Sequence, residues 1–145
     1  MKKLYLFLFL LTICITGTTC GKDEIEQKHS LINTKWKLIS MVNVSTATTQ
    51  IPEMDSENRY WIIFNRDNTL EGKSCSNALF GNYVVDSRTS TVQIMQFGGT
   101  KVGECSETGN LFWTIIPSVR YFIIEGMFLK LYHNETDYWL FKAII

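Results

Sequence analysis

The fold of this chain is decided by its closing stretch, "YFIIEGMFLKLYHNETDYWLFKAI", residues 121–144. Three runs rich in aromatic and β-branched residues are cut by "EG" and by "NET", and each run is the length of a strand. The same punctuation appears upstream. "RYWIIFN" is followed by the turn "RDNT", "LFGNYVVD" by "SRTS", and "TVQIMQF" by "GGT". Near the start of the domain, "INTKWKLISM" sets Trp36, Leu38 and Ser40 against Lys35, Lys37 and Ile39, a two-residue period that predicts a strand. Regular short strands with frequent turns predict a mainly β fold, an antiparallel meander curling into a small barrel or half-barrel. Between residues 44 and 58 the polar, Thr-rich segment with Pro52 reads as a long loop.

One segment has a different period. In "SETGNLFWTIIPSVRYF", Leu111, Phe112, Ile115, Ile116 and Val119 recur at helical spacing, with Ser106 as N-cap and Glu107 in the first turn. A single amphipathic helix packed against the sheet is expected there. Pro117 ends it near Ile116, because its ring removes an amide donor and clashes with the preceding turn.

The chain has 145 residues, with 14 basic and 14 acidic side chains. Its first 19 residues put Lys2 and Lys3 ahead of an apolar run from Leu4 to Ile15 and then small polar residues, the layout of a secretory signal. "ITGTTC" followed by "GKDE" resembles the lipobox of bacterial lipoproteins, which implies lipidation of Cys20; ordinary signal cleavage is the alternative. The organisation expected is a signal peptide over 1–19, a lipid-attached tether over 20–30 and one domain over 31–145. The address implied is the cell envelope, as an outer-membrane lipoprotein facing either the surface or the periplasm.

Without residues 1–19 the chain keeps 12 basic and 14 acidic side chains, a formal charge of −2. No Lys/Arg cluster follows residue 3, so nucleic acid is not an expected partner. The partners expected are the membrane, through the lipid, and an unidentified protein, with the chain itself a monomer. With Cys14 in the signal and Cys20 taken by lipid, Cys75 and Cys105 remain, and in an oxidising compartment an even pair reads first as a disulfide.

Chemistry is sparse. The only histidines are His29, in the tether, and His133, in a turn beside Glu135 and Asp137. A hydrolytic triad would have to recruit His133 across the fold, and two isolated cysteines with two isolated histidines lack zinc-site spacing. Neither an enzyme nor a metal or other cofactor is expected. The aromatics Trp36, Trp61, Trp113, Trp139 and Phe141 read first as core, and second as the lining of a cavity for a small apolar ligand, a lipocalin-like carrier.

"GKSCSNALFGNYVVD", "GGTKVGEC" and the run from Phe112 to Lys142 resemble the META domain, also called HslJ-like. Cys75, Asn77, Gly81 and Tyr83 match its first motif, Thr100 and Cys105 the second, and Leu129 and Leu131 the final hairpin. Ser76, Gly103, Glu104 and Pro117 depart from its pattern. The resemblance spans Leu31 to Lys142 and implies a β-rich envelope domain with one helix, stress- or host-associated, without catalytic activity. Ser76 and Asn77 are left as candidate interaction residues beside the cysteine.

Overall fold

The computed structural model describes residues 29–53 and 58–144. Among the described residues the chain forms nine strands: β1 (Lys35–Asn43), β2 (Thr48–Gln50), β3 (Trp61–Phe64), β4 (Thr69–Lys73), β5 (Ala78–Asp86), β6 (Thr91–Gly99), β7 (Tyr121–Glu125), β8 (Phe128–Tyr132) and β9 (Tyr138–Ile144). All pair antiparallel, in chain order from β3 to β9, and β9 returns to pair with β1, so the sheet closes in a ring. The other edge of β1 is shared, with β3 on its first half and β2 on its second.

Alternation places one face of each strand except β2 inside. In β5, Leu79, Gly81 and Tyr83 are buried while Phe80, Asn82 and Val84 are exposed. Tyr83 stacks edge-on against Phe64 with centroids 5.0 Å apart, and its hydroxyl donates to the Asn65 carbonyl at 2.7 Å. Gly81 lies opposite a bulge in β6, where Gln96 takes a φ of 48°. A Cβ on Gly81 would sit 3.2 Å from the Met95 carbonyl oxygen and 3.3 Å from the Phe97 Cα, so a side chain there would crowd the backbone of the bulge. Both matched residues of the "LFGNYVVD" run are thus packing residues.

The helix α1 (Glu107–Ile115) begins where the sequence predicts, with the Ser106 hydroxyl accepting from the Gly109 amide at 3.1 Å. A 3-10 turn over Ile116–Ser118 absorbs Pro117 near its start and leads into β7. This segment packs where the ring is thinnest. β6 and β7 share only the Thr91–Tyr121 pair, and the 3-10 turn lies against β6 in place of more strand.

The interior is filled by side chains. Trp36, Phe64, Phe112, Phe141, Leu129 and Leu131 have no more than a trace of exposure, and Trp139 joins them against Phe112 at 5.3 Å. The Trp36 indole donates to the Leu31 carbonyl at 3.1 Å, which satisfies its one polar atom inside the core. Two of the aromatics expected in the core lie elsewhere. Trp61 is half-buried on the outer face under the Lys35 ammonium, and Trp113 is half-buried outside the ring.

Two segments differ from the sequence expectation. The loop predicted over 44–58 contains β2, a three-residue strand with every residue exposed, which no apolar pattern marks. β4 also lacks a run of apolar residues. Its inward positions are Leu70 and Gly72, and the turn before it is set by Asp67, whose carboxylate accepts from the Thr69 amide at 3.1 Å.

Replacing Trp36 by Ala removes a fully buried side chain and leaves a cavity, which should lower stability by about 3–5 kcal/mol in urea denaturation. Trp36→Phe should cost less, because it fills most of the space and loses only the bond to Leu31.

Candidate functional site

The richest cluster of polar side chains lies at the corner between β4 and β5, where Ser74, Cys75, Ser76 and Asn77 turn the chain. Cys75 and Cys105 form a disulfide with Cα atoms 5.7 Å apart, so the loop from β6 to α1 is stapled to this corner. The Cys75 side is buried and the Cys105 side exposed.

Asn77 is buried and its side chain is fully employed. Its Nδ2 donates to the Val102 carbonyl and to Glu104 Oε1, both at 2.7 Å. Its Oδ1 accepts from Thr100 Oγ1 at 2.9 Å and from the Val102 amide at 2.8 Å. All four hydrogen-bonding positions of the amide are therefore used within the chain. The candidate interaction role of Asn77 has to be read through that: it is a bracket holding residues 100–104 on β5.

Glu104 binds the corner from the other side. Its Oε1 accepts from Ser74 Oγ at 2.5 Å, from Asn77 Nδ2 and from the Trp113 indole nitrogen at 2.6 Å. Its Oε2 accepts from the Ser76 amide at 3.0 Å. Burial would push this carboxyl up, but the bonds from Ser74, Asn77, Trp113 and the Ser76 amide outweigh it and hold the group below the ordinary glutamate range. Ser76 thus contributes its backbone to the cluster.

The helix fits tightly against this cluster. A Cβ on Gly109 would lie 2.6 Å from Glu104 Oε2 and 2.9 Å from the Cys75 Cβ, so only glycine allows the approach. Trp113 closes the other flank, its ring edge against Gly99 and its plane nearly perpendicular to Phe97, with centroids 5.6 Å apart. Between the 98–104 loop and the helix lies an open groove of about 560 Å³, lined by Phe97, Trp113, Lys101, Glu104 and Asn110 among others.

A second polar cluster supports the same helix. The Tyr60 hydroxyl donates to Glu53 Oε2 at 2.8 Å and lies 2.7 Å from Ser106 Oγ, and Thr108 donates to Glu53 Oε1 at 3.0 Å. Burial, with the Glu53 carboxylate, pushes the Tyr60 phenol up to about 12 against the pull of Ser106.

His133, which the sequence left for acid–base chemistry with Asp137 or Glu135, meets Asp137 at a small pocket of about 160 Å³ with Leu111, Ile115 and Trp139. Asp137 accepts from the Val44 amide at 2.9 Å and from Asn134 Nδ2 at 3.1 Å, so its carboxylate ties the β8–β9 turn to the end of β1. Burial pushes the His133 imidazole below its ordinary value, despite the Asp137 charge. Glu135 is exposed in the turn. Among the described residues no three His, Cys, Asp or Glu side chains converge to hold a metal ion. Cys20 lies outside the described residues, as do the segment expected to be a signal peptide and most of the expected tether.

Sequence reasoning named Cys75, Ser76, Asn77 and Cys105 but passed over Ser74, Glu104 and Trp113 as partners. A signal for Glu104 was present: an acid next to one half of a disulfide lies close to whatever flanks the other half, and Ser74–Asn77 flank Cys75.

No protein-family model matches the chain, and no curated protein does. Two solved structures share the fold. One is the solution structure of a protein from Burkholderia xenovorans, 15% identical, with a TM-score of 0.61 over 79% of this chain and 83% of that one. The other is the crystal structure of a DUF4847 family protein from Bacteroides vulgatus, 16% identical, with a TM-score of 0.58 over 77% of this chain and 93% of that one.

The Cys75→Ser/Cys105→Ser double variant should lose roughly 3–4 kcal/mol, the chain-entropy value for a loop of this length, as read by urea denaturation under non-reducing conditions. Glu104 should show a pH signature. Its depressed folded-state pKa stabilises the fold fully above the unfolded value of about 4.3, and that contribution is lost as pH falls through the folded value. Glu104→Gln should therefore be destabilised at neutral pH by about 1–3 kcal/mol and show a flatter acid limb than the parent.

Proposed function

We propose that the chain is an exported cell-envelope lipoprotein, anchored through Cys20, whose META/HslJ-like domain is a noncatalytic binding module that recognises its partner on its outer surface. The filled interior carries this reading. Trp36, Phe64, Phe112 and Phe141 occupy the space where a barrel-type carrier would hold an apolar ligand, which leaves recognition to the outside. The hydrogen bonds around Cys75 point the same way, since Ser74, Asn77 and Glu104 spend their polar groups on one another.

A Lys-flanked apolar run followed by Cys20 supports the anchor. The likeness of residues 75–83, 100–105 and 129–131 to the META domain supports the family assignment.

Intact mass of the protein recovered from the envelope should correspond to a chain starting at Cys20 and carrying acyl chains. Cys20→Ser should move it from the membrane fraction to the soluble fraction. A membrane-bound chain that retains residues 1–19, or an unmodified one beginning at another residue, would falsify the anchor.

A further inference from the structure

The outer face of the ring around β1 carries a band of lysines and aromatic rings that no single stretch of the sequence contains. Cross-strand register sets Lys73 opposite Trp61, Trp61 opposite Lys37, Lys37 opposite Lys142 and Lys142 opposite Phe128, one row across five strands. Each of these side chains has buried neighbours along its strand and so points outward. Lys35 joins the row from the next outward position of β1, its ammonium 4.3 Å from the centre of the Trp61 ring. From Lys73 to Lys142 is three strand spacings, about 14 Å.

Such a band costs an isolated fold some stability. Like charges directly opposite on neighbouring strands repel, and Lys37 and Lys142 are such a pair. Among the described residues no ion pair reaches Lys35, Lys73 or Lys142. Two acids border the band. Glu125 is taken by Lys130 at 2.8 Å, and Glu71 lies opposite Ile63 on the β4 side. The charge of −2 expected for the chain without residues 1–19 thus hides one face of the opposite sign.

The band runs into exposed apolar side chains at the rim where the chain enters the ring. Asn33 donates its amide to the Phe64 carbonyl at 2.8 Å, at the end of β3, and Lys35 then pairs with Ile63 on one side and Ile144 on the other. The Ala143 amide donates to the Met127 carbonyl at 2.8 Å, which brings the tip of the β7–β8 hairpin to the same rim. Met127, Phe128 and Ile144 are exposed there. A polyanion such as nucleic acid would use the lysines and leave these three in water. An anionic bilayer takes both, apolar tips at its acyl boundary and lysine ammoniums among its headgroups. Position agrees with chemistry. Fully extended, the chain between Cys20 and His29 reaches at most about 30 Å, no more than the diameter of a domain of this size. A lipid on Cys20 would therefore keep this rim close to the bilayer.

We infer that this face is a membrane-contact site, with Lys35, Lys37, Lys73 and Lys142 on anionic headgroups and Met127, Phe128 and Ile144 at the acyl boundary. This rests on the reading of the chain as a lipid-anchored protein, and it adds how the domain lies on the membrane that holds it.

The test removes the anchor and keeps the face. The chain from residue 20 onward, carrying Cys20→Ser and with its disulfide intact, is mixed with vesicles of phosphatidylglycerol and phosphatidylcholine, or of phosphatidylcholine alone, and recovered by flotation. At about 0.1 M salt, where charges act over about 10 Å, it should float with the anionic vesicles and not with the neutral ones, and about 1 M salt should release most of it. Lys142→Ala should lower the partitioning about fivefold and Lys73→Ala/Lys142→Ala about twenty-five-fold, the effect of one and of two lysines at an anionic surface. Phe128→Ser, and independently Met127→Ser, should lower it by about tenfold through lost apolar burial. Lys101→Ala, outside the band, should leave it unchanged. Near-UV circular dichroism checks that each variant keeps its fold.

Absence of flotation with the anionic vesicles overturns the inference, and so does an equal loss with Lys101→Ala. Flotation that both Phe128→Ser and Met127→Ser leave intact also overturns it, since it would mark a site for soluble polyanions. Its failure is separable from that of the anchor. A chain lipidated in the envelope whose Cys20→Ser form ignores the vesicles sinks the contact face alone, and an unlipidated chain that floats through these residues sinks the anchor alone.

Discussion

A closed ring of strands must satisfy its backbone all the way round, and this one falls short at a single seam. β6 and β7 meet in one residue pair, after which β6 runs on beside the helical segment and β7 runs on past the turn before β6. Everything unusual in the molecule gathers around that shortfall. The helix has to be held against the ring by side chains, because strand pairing does not hold it. Its N-terminus is pinned by Cys105, by Ser106 and by the Tyr60–Glu53 cluster, its middle by the Trp113–Glu104 bond, and its buried face by Phe112.

The same requirement explains why Asn77 and Glu104 are inward-looking. A loop of seven residues, 100–106, has to leave the sheet, cross a corner and start a helix at a fixed place. Asn77 supplies both a donor and acceptors to residues 100–104, standing in for a neighbouring strand, and Glu104 gathers donors from the β4–β5 corner and from the helix. The disulfide adds a covalent limit to how far these parts separate. Polar satisfaction at this corner is a structural need, and the groove beside it is a by-product of how the need was met, with glycines where the crossing is closest.

Legibility followed the strength of the periodic signal. β5, β8 and β9 are short runs rich in aromatic and β-branched residues bounded by turn residues, and the helix repeats at its own spacing behind a serine cap, so their places could be read directly. β2 and β4 could not, because β2 buries nothing and β4 turns a glycine inward where a strand usually shows a second apolar residue. The cysteine pair was readable from its count together with the secretory layout expected of the first 19 residues. Glu104 was visible only as the acid beside Cys105 and as a departure from the META pattern; its side-chain donors, two from the β4–β5 corner and one from the helix, are distant in sequence and leave no periodic trace.

The pairing of β9 with β1 along nearly its whole length sets the order of events for a chain made from its N-terminus. Trp36 and Leu38 lie on the first strand, and the strand that covers them is not available until residues 138–144 have been made. Until then β1 is an edge with an apolar face, open to any extended segment that reaches it. The barrel is thus a late-closing structure, in which the last seven-residue strand converts a vulnerable sheet into one without a free edge along β1.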